Sequence, residues 1–229
     1  MDPVTMYSTG LRGSCARYAI VGAAAIAALV VGLLAPGQSL ACEGRNVIFE
    51  DDFTSDLGRW NPDPALTFGG SGGKVSFASH WEHFQIMNLA ASPLDGDLCM
   101  TATFPLKAKN TAAVAIRFWI TDGANYYMLQ ITQERKVILW RTYFGIRLAL
   151  WEEEFLQMNT APGASNTVRV VTKGKSVLAY VNGARVREIS LQPPTGEVRF
   201  GFHLQLNEET MGPDERVFFI TRYKMTSAD

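Results

Sequence analysis

From residue 42 onward, apolar and polar side chains alternate in short runs separated by Gly, Asn, Asp and Pro. An every-second-residue rhythm marks a half-buried strand. It recurs in thirteen segments: 46–53, 74–78, 84–88, 97–104, 112–120, 126–132, 137–142, 146–153, 166–172, 176–181, 184–189, 197–206 and 216–225. No stretch holds a helical apolar period for three turns. The best helix candidate, 148–158, carries aromatics that fit a strand and loop as well. Two hairpins are explicit: 126–132 joins 137–142 through Gln133-Glu134-Arg135-Lys136, and 176–181 joins 184–189 through Asn182-Gly183. Asn-Gly suits a two-residue turn because both positions must reach positive φ. With no repeat and no long linker, the pattern predicts one all-β domain over 42–229, a sandwich or barrel.

Alternation also sorts the strand faces. Phe200, Phe202, Leu204 and Leu206 form one face of the late strand, with Arg199, Gly201, His203, Gln205 and Asn207 opposite. Val114, Ile116, Phe118 and Ile120 are expected in the core, leaving Arg117, Trp119 and Thr121 on the reverse. Tyr127, Leu129 and Ile131 are expected inside, against Tyr126, Met128, Gln130 and Thr132. Several strands thus share a second face rich in Arg, Trp, Tyr, Gln and His.

The first forty residues differ in kind. Arg12 and Arg17 precede an uncharged run over 19–35, which Pro36-Gly37 breaks before Ser39-Leu40-Ala41. This is the layout of a secretory signal cleaved after residue 41. It places the mature chain in the periplasm or outside the cell, with no stable membrane insertion after cleavage. The alternatives are an uncleaved anchor, for which the run is short, and a lipid on Cys42, for which Ser39 stands where Leu is normal. Cleavage removes Cys15 and leaves Cys42 and Cys99, an even pair suited to a disulfide in an oxidising compartment. Alternatively, Cys99 is a small buried apolar side chain. The formal net charge of −1 supplies no field to gather nucleic acid or an anionic membrane.

A family likeness follows from these pieces. Phe49-Glu50-Asp51-Asp52-Phe53 with Leu57-Gly58-Arg59-Trp60 resembles the opening strand and turn of concanavalin A-like lectin/glucanase domains. The stretch from Ala113 to Phe118, Asp122 and Asn125–Ile131 resemble their central hairpin. Residues 166–170, Lys173-Gly174 and Tyr180-Val181-Asn182-Gly183 resemble their late one, and 196–202 the strand after it. The pattern is most similar to the 3-keto-disaccharide hydrolase type, and more distantly to laminin-G-like domains. The resemblance implies a two-sheet antiparallel jelly roll whose concave face serves sugar binding or glycosidic chemistry. The glucanase pattern Glu-x-Asp-x-x-Glu is absent, and Glu152-Glu153-Glu154 comes nearest to it.

Candidate chemistry fits this frame. Aromatic rings pack on pyranose faces, and Arg and Gln present planar forks to hydroxyl pairs. Arg117, Trp119, Tyr126, Gln130, His203 and Gln205 are the expected contacts, with Trp81 on the rim. A glycosidase needs two carboxyl groups about 5–10 Å apart, and Glu82, Glu134, Glu152 and Glu154 are the candidates. His80 and His83 lack an evident third metal ligand. Asp51 and Asp52 are candidates to help hold a structural Ca²⁺, although two oxygens alone do not make a site. Gly69-Gly70-Ser71-Gly72-Gly73 lacks the Lys-Ser/Thr ending of a phosphate loop. No cofactor is expected. Three readings follow: a saccharide-binding domain, a glycoside hydrolase acting on a glycosidic or 3-keto-sugar substrate, and an envelope protein-interaction domain using its edge strands.

Overall fold

The computed structural model describes residues 42–54, 57–61, 66–68, 74–77, 83–106, 112–206 and 217–229. The proposed signal segment 1–41 lies outside them. Fifteen strands, numbered in chain order, form two sheets among the described residues. One, eight-stranded, runs β13 (Ala184–Ser190), β12 (Ser176–Val181), β11 (Ser165–Lys173), β6 (Gly96–Thr103), β15 (Val217–Thr226), β4 (Lys74–Phe77) and β3 (Leu66–Phe68). In it β1 (Val47–Asp51) also pairs with β15. The other, seven-stranded, runs β10 (Ile146–Glu154), β9 (Lys136–Tyr143), β8 (Asn125–Thr132), β7 (Ala112–Asp122), β14 (Arg199–Leu206), β5 (His83–Asn88) and β2 (Trp60–Asn61). Their pairings are antiparallel. No described helix is long and apolar enough to cross a membrane. The helix candidate at 148–158 is strand as far as Glu154.

The strands form where alternation placed them because each buries one apolar face between the sheets. Phe84 and Ile86, Val114 and Ile116, Leu129 and Ile131, and Phe200, Phe202 and Leu204 all join one core with Val168, Val170, Ile220 and Tyr223 of the opposite sheet. One end of that core is aromatic. Trp60 packs edge-on against Phe200, Phe202 and Tyr223, with centroids 5.3–6.1 Å apart. Its indole N–H donates to Asp51 Oδ2 at 2.8 Å, which also accepts from Arg59 Nη2 at 3.1 Å. Asp51 Oδ1 accepts from the Phe53 amide at 2.8 Å. The opening motif is therefore a core anchor, with Asp51 as its hydrogen-bond hub. Asp52 turns instead to Thr54, whose amide and hydroxyl both donate to its Oδ1.

Cys42 and Cys99 are joined in a disulfide that ties the N-terminal segment to central strand β6. Beside it, Arg169 on β11 grips Asp97 through both Nε (2.8 Å) and Nη2 (2.9 Å). This forked pair, flanked by Glu43, ties the segment around Cys42 to the middle of the sheet.

Candidate ligand-binding site

Strand β7 runs through the middle of the seven-stranded sheet and shows only small side chains over part of its outer face. Ala113 and Ala115 stand there, and their cross-strand partners are Thr132 and Gln130 on β8 and Gln205 and His203 on β14. With only methyl groups between them, longer side chains reach over β7. Gln130 Nε2 donates to Gln205 Oε1 at 3.1 Å, and Trp140 Nε1 on β9 donates to Gln130 Oε1 at 2.7 Å. The result is a hydrogen-bonded bar across four strands. It lies in a groove of about 350 Å³ whose lining also includes Arg147, Glu134 and Lys136.

Next to the groove, Met128, Ala115, Ile120 and Tyr126 form a second apolar cluster, with Met87 and Trp140 packed on it. Arg117 lies in this layer, only 2% exposed. Its guanidinium carbon sits 3.9 Å from the centroid of the Tyr126 ring. Its Nε and Nη2 make no hydrogen bond. Desolvation, with Arg147 adding repulsion, pulls its pKa down to about 10, although the Tyr126 phenol favours the charged form. Tyr126 accepts from Gln85 Nε2 at 3.3 Å.

The expected contacts therefore divide. Gln130 and Gln205 meet in the groove, Arg117 and Tyr126 stack beside it, and His203 is fully buried on the same face. Trp81 lies outside the described residues, as do His80 and Glu82. Trp119 requires a correction. Pairing with β8 loses register between Phe118 and Asp122, and Trp119 adopts φ 48°. A bulge of this kind shifts every later side chain by one face. Trp119 accordingly enters the inter-sheet core beside Phe118 and Tyr127, its indole N–H donating to Leu94 O at 2.7 Å. Ile120, expected inside, emerges in the outer cluster. The indole on the sheet face is that of Trp140, not Trp119.

Among the described residues, the candidate carboxylates do not gather around the groove as a pair. Among the described residues lining the groove, Glu134 alone is acidic. Glu152 pairs with Lys136 Nζ at 2.9 Å. Glu153, rather than Glu154, meets Trp151 Nε1 and Arg187. Sequence reasoning missed Trp140 and Arg147. The three-residue loop joining β8 and β9 sets Met128 opposite Trp140, and that register was the available signal.

No protein-family model matches the chain, and no curated protein matches it in sequence. Solved structures do match its backbone. A carbohydrate-binding module, CBM66, from Bacillus subtilis is 14% identical with a TM-score of 0.55, over 74% of this chain and 96% of its own. A Bacillus licheniformis beta-glucanase is 13% identical with a TM-score of 0.56, over 78% and 97%. A Bacillus subtilis protein of unknown function with a galectin-like fold is 9% identical with a TM-score of 0.60, over 81% and 97%. At such identities the likeness is one of fold, and the fold this chain shares with them is a two-sheet antiparallel jelly roll.

Proposed function

We propose that this is an exported carbohydrate-binding domain that holds a saccharide in the groove on the outer face of its seven-stranded sheet. The observation that carries the reading is the Trp140–Gln130–Gln205 bar. It fixes a half-buried indole and two planar amides in one layer before any ligand arrives, so little side-chain freedom is lost on binding. The indole offers an apolar surface to a pyranose ring, and the amides and Arg147 offer flat forks to its hydroxyls. That similar folds are named as a carbohydrate-binding module and a galectin-like protein supports the reading. The Cys42–Cys99 disulfide and the signal-like start support export.

The second reading, hydrolysis of a glycosidic or 3-keto-sugar substrate, draws on the beta-glucanase likeness and on Glu134. Hydrolysis by the usual route needs a second carboxyl group across the scissile bond. Calorimetric titration of a glycan panel, with product analysis of the same mixtures, separates the two. The binding reading expects saturable heat without turnover. It also expects Trp140→Ala to weaken affinity by about 2 kcal/mol, roughly 30-fold, and Glu134→Gln to change no product yield. Turnover lost in Glu134→Gln would instead establish the hydrolase.

A further inference from the structure

The seven-stranded sheet carries a second, larger depression at its end, a cleft of about 510 Å³. Three segments wall it: the β7–β8 turn, the β9–β10 tip and the loop over 192–195. The two hairpin tips are pinned together, the Phe144 amide donating to Asn125 Oδ1 and the Gly145 amide to Ala124 O, each at 3.0 Å. The third wall is tied in by Tyr127, whose hydroxyl donates to Gln192 O at 3.4 Å. Trp119, displaced by its bulge, lines the cleft from the core side. Rings dominate the lining, and two stay open to solvent: Tyr143 is 53% exposed and Phe144 73%. Exposed aromatics gathered at one preformed cleft mark a contact surface rather than a stability device.

The charge in the cleft is one-sided. Arg141 is the single charged side chain among its described lining residues. Arg59, Arg169, Arg185, Arg187 and Arg222 each meet a carboxylate, whereas Arg141 has no such partner among the described residues. It lies instead over two rings, 5.6 Å from the Tyr127 centroid and 4.9 Å from that of Tyr143. The nearby carboxylate, Asp122, is taken up by its own turn, through Ala124 N and Asn125 Nδ2.

We propose that this end cleft is a second binding site, distinct from the sheet groove, for the carboxylate-bearing ring of an acidic saccharide. Tyr143 and Phe144 take the apolar face of the sugar ring, and Arg141, oriented by the tyrosines, takes the carboxylate as a charge-assisted fork. A neutral ring gains the stacking alone.

The test uses the full protein carrying Trp140→Ala, which disables the groove, with methyl β-D-glucuronide and methyl β-D-glucoside as matched probes. Binding is followed by amide NMR. The glucuronide shifts the signals of Asn125, Phe144 and Thr195 and binds about tenfold more tightly than the glucoside. Arg141→Gln abolishes that preference, and Arg141→Lys keeps part of it. Because Arg141 is exposed, dispersed and otherwise unchanged spectra are expected of both variants. The proposal is overturned if neither probe binds, if both bind equally, if the shifts fall elsewhere, or if Arg141→Gln keeps the preference. Failure here leaves the groove intact as a reading, since that is titrated on the unaltered chain.

Discussion

Reducing the Cys42–Cys99 bridge removes the covalent link between the N-terminal segment and the middle of the eight-stranded sheet. The cysteines are 57 positions apart. Closing a loop of that length withdraws about 14 cal/mol/K of entropy from the unfolded chain, or about 4 kcal/mol at 25 °C. For a domain of this size, each kcal/mol moves Tm by about 2–4 °C, so the intact bridge raises it by roughly 8–16 °C. The folded state gives a second reason to expect loss. Cys99 sits on β6 between β11 and β15. The segment that follows Cys42 is otherwise held there by the Glu43 amide on Asp97 Oδ2 at 2.7 Å and by β1 pairing with β15. The assay is differential scanning calorimetry with and without a reductant, after incubation long enough to open a bridge whose cysteines are both buried. Cys42→Ala, which leaves Cys99 in place, should reproduce the reduced Tm. A drop below about 2 °C in both samples would refute the loop argument.

Three other outcomes follow from the packing. Trp119→Ala should cost about 3–5 kcal/mol in denaturant unfolding, because the ring lies in the core, yet leave glycan affinity in the groove unchanged. A variant of ordinary stability that no longer binds would put the indole back on the sheet face. Gly201→Ala should cost at least about 3 kcal/mol or prevent folding, since its Cβ would stand 2.0 Å from Ile86 O. A soluble variant of unchanged midpoint would contradict the β14–β5 register. The Asp122 carboxyl is held below the usual range by Asn125 Nδ2 and the Ala124 amide. Its folded value is the lower one, so its support for the β7–β8 turn is complete above pH 3.8 and lost as pH falls through the depressed value. Side-chain carbon shifts followed by NMR should place its midpoint under 3.8, and a midpoint above it would be inconsistent with the turn.

The strands were legible because burial on one face imposes a period of two, and each of the thirteen expected segments has a strand over it. The two additional strands, Trp60–Asn61 and Leu66–Phe68, are too short to show a period at all. Face assignment succeeded wherever pairing stays in register: Phe200, Phe202 and Leu204 lie inside, and Gln130 and Gln205 outside. It broke at Trp119, because one left-handed residue reverses the phase, and a Trp at that position carries no local signal as a Gly would. The Cys pair showed that a bridge was available, but its alternative, a lone buried thiol, could be set aside only by the approach of the two chain segments. Trp140 and Arg147 stayed hidden because their place in the groove depends on β7 being narrowed to Ala113 and Ala115, two and three strands away. That relation exists only across the sheet.

A ¹⁵N-resolved titration with the tightest-binding glycan reads the groove most directly. If the saccharide rests on the Trp140–Gln130–Gln205 bar, the indole N–H of Trp140 and the side-chain amides of both glutamines shift together, with one dissociation constant matching the calorimetric one. Saturating glycan that leaves all three signals where they began would show that the sheet face is not where sugar is held.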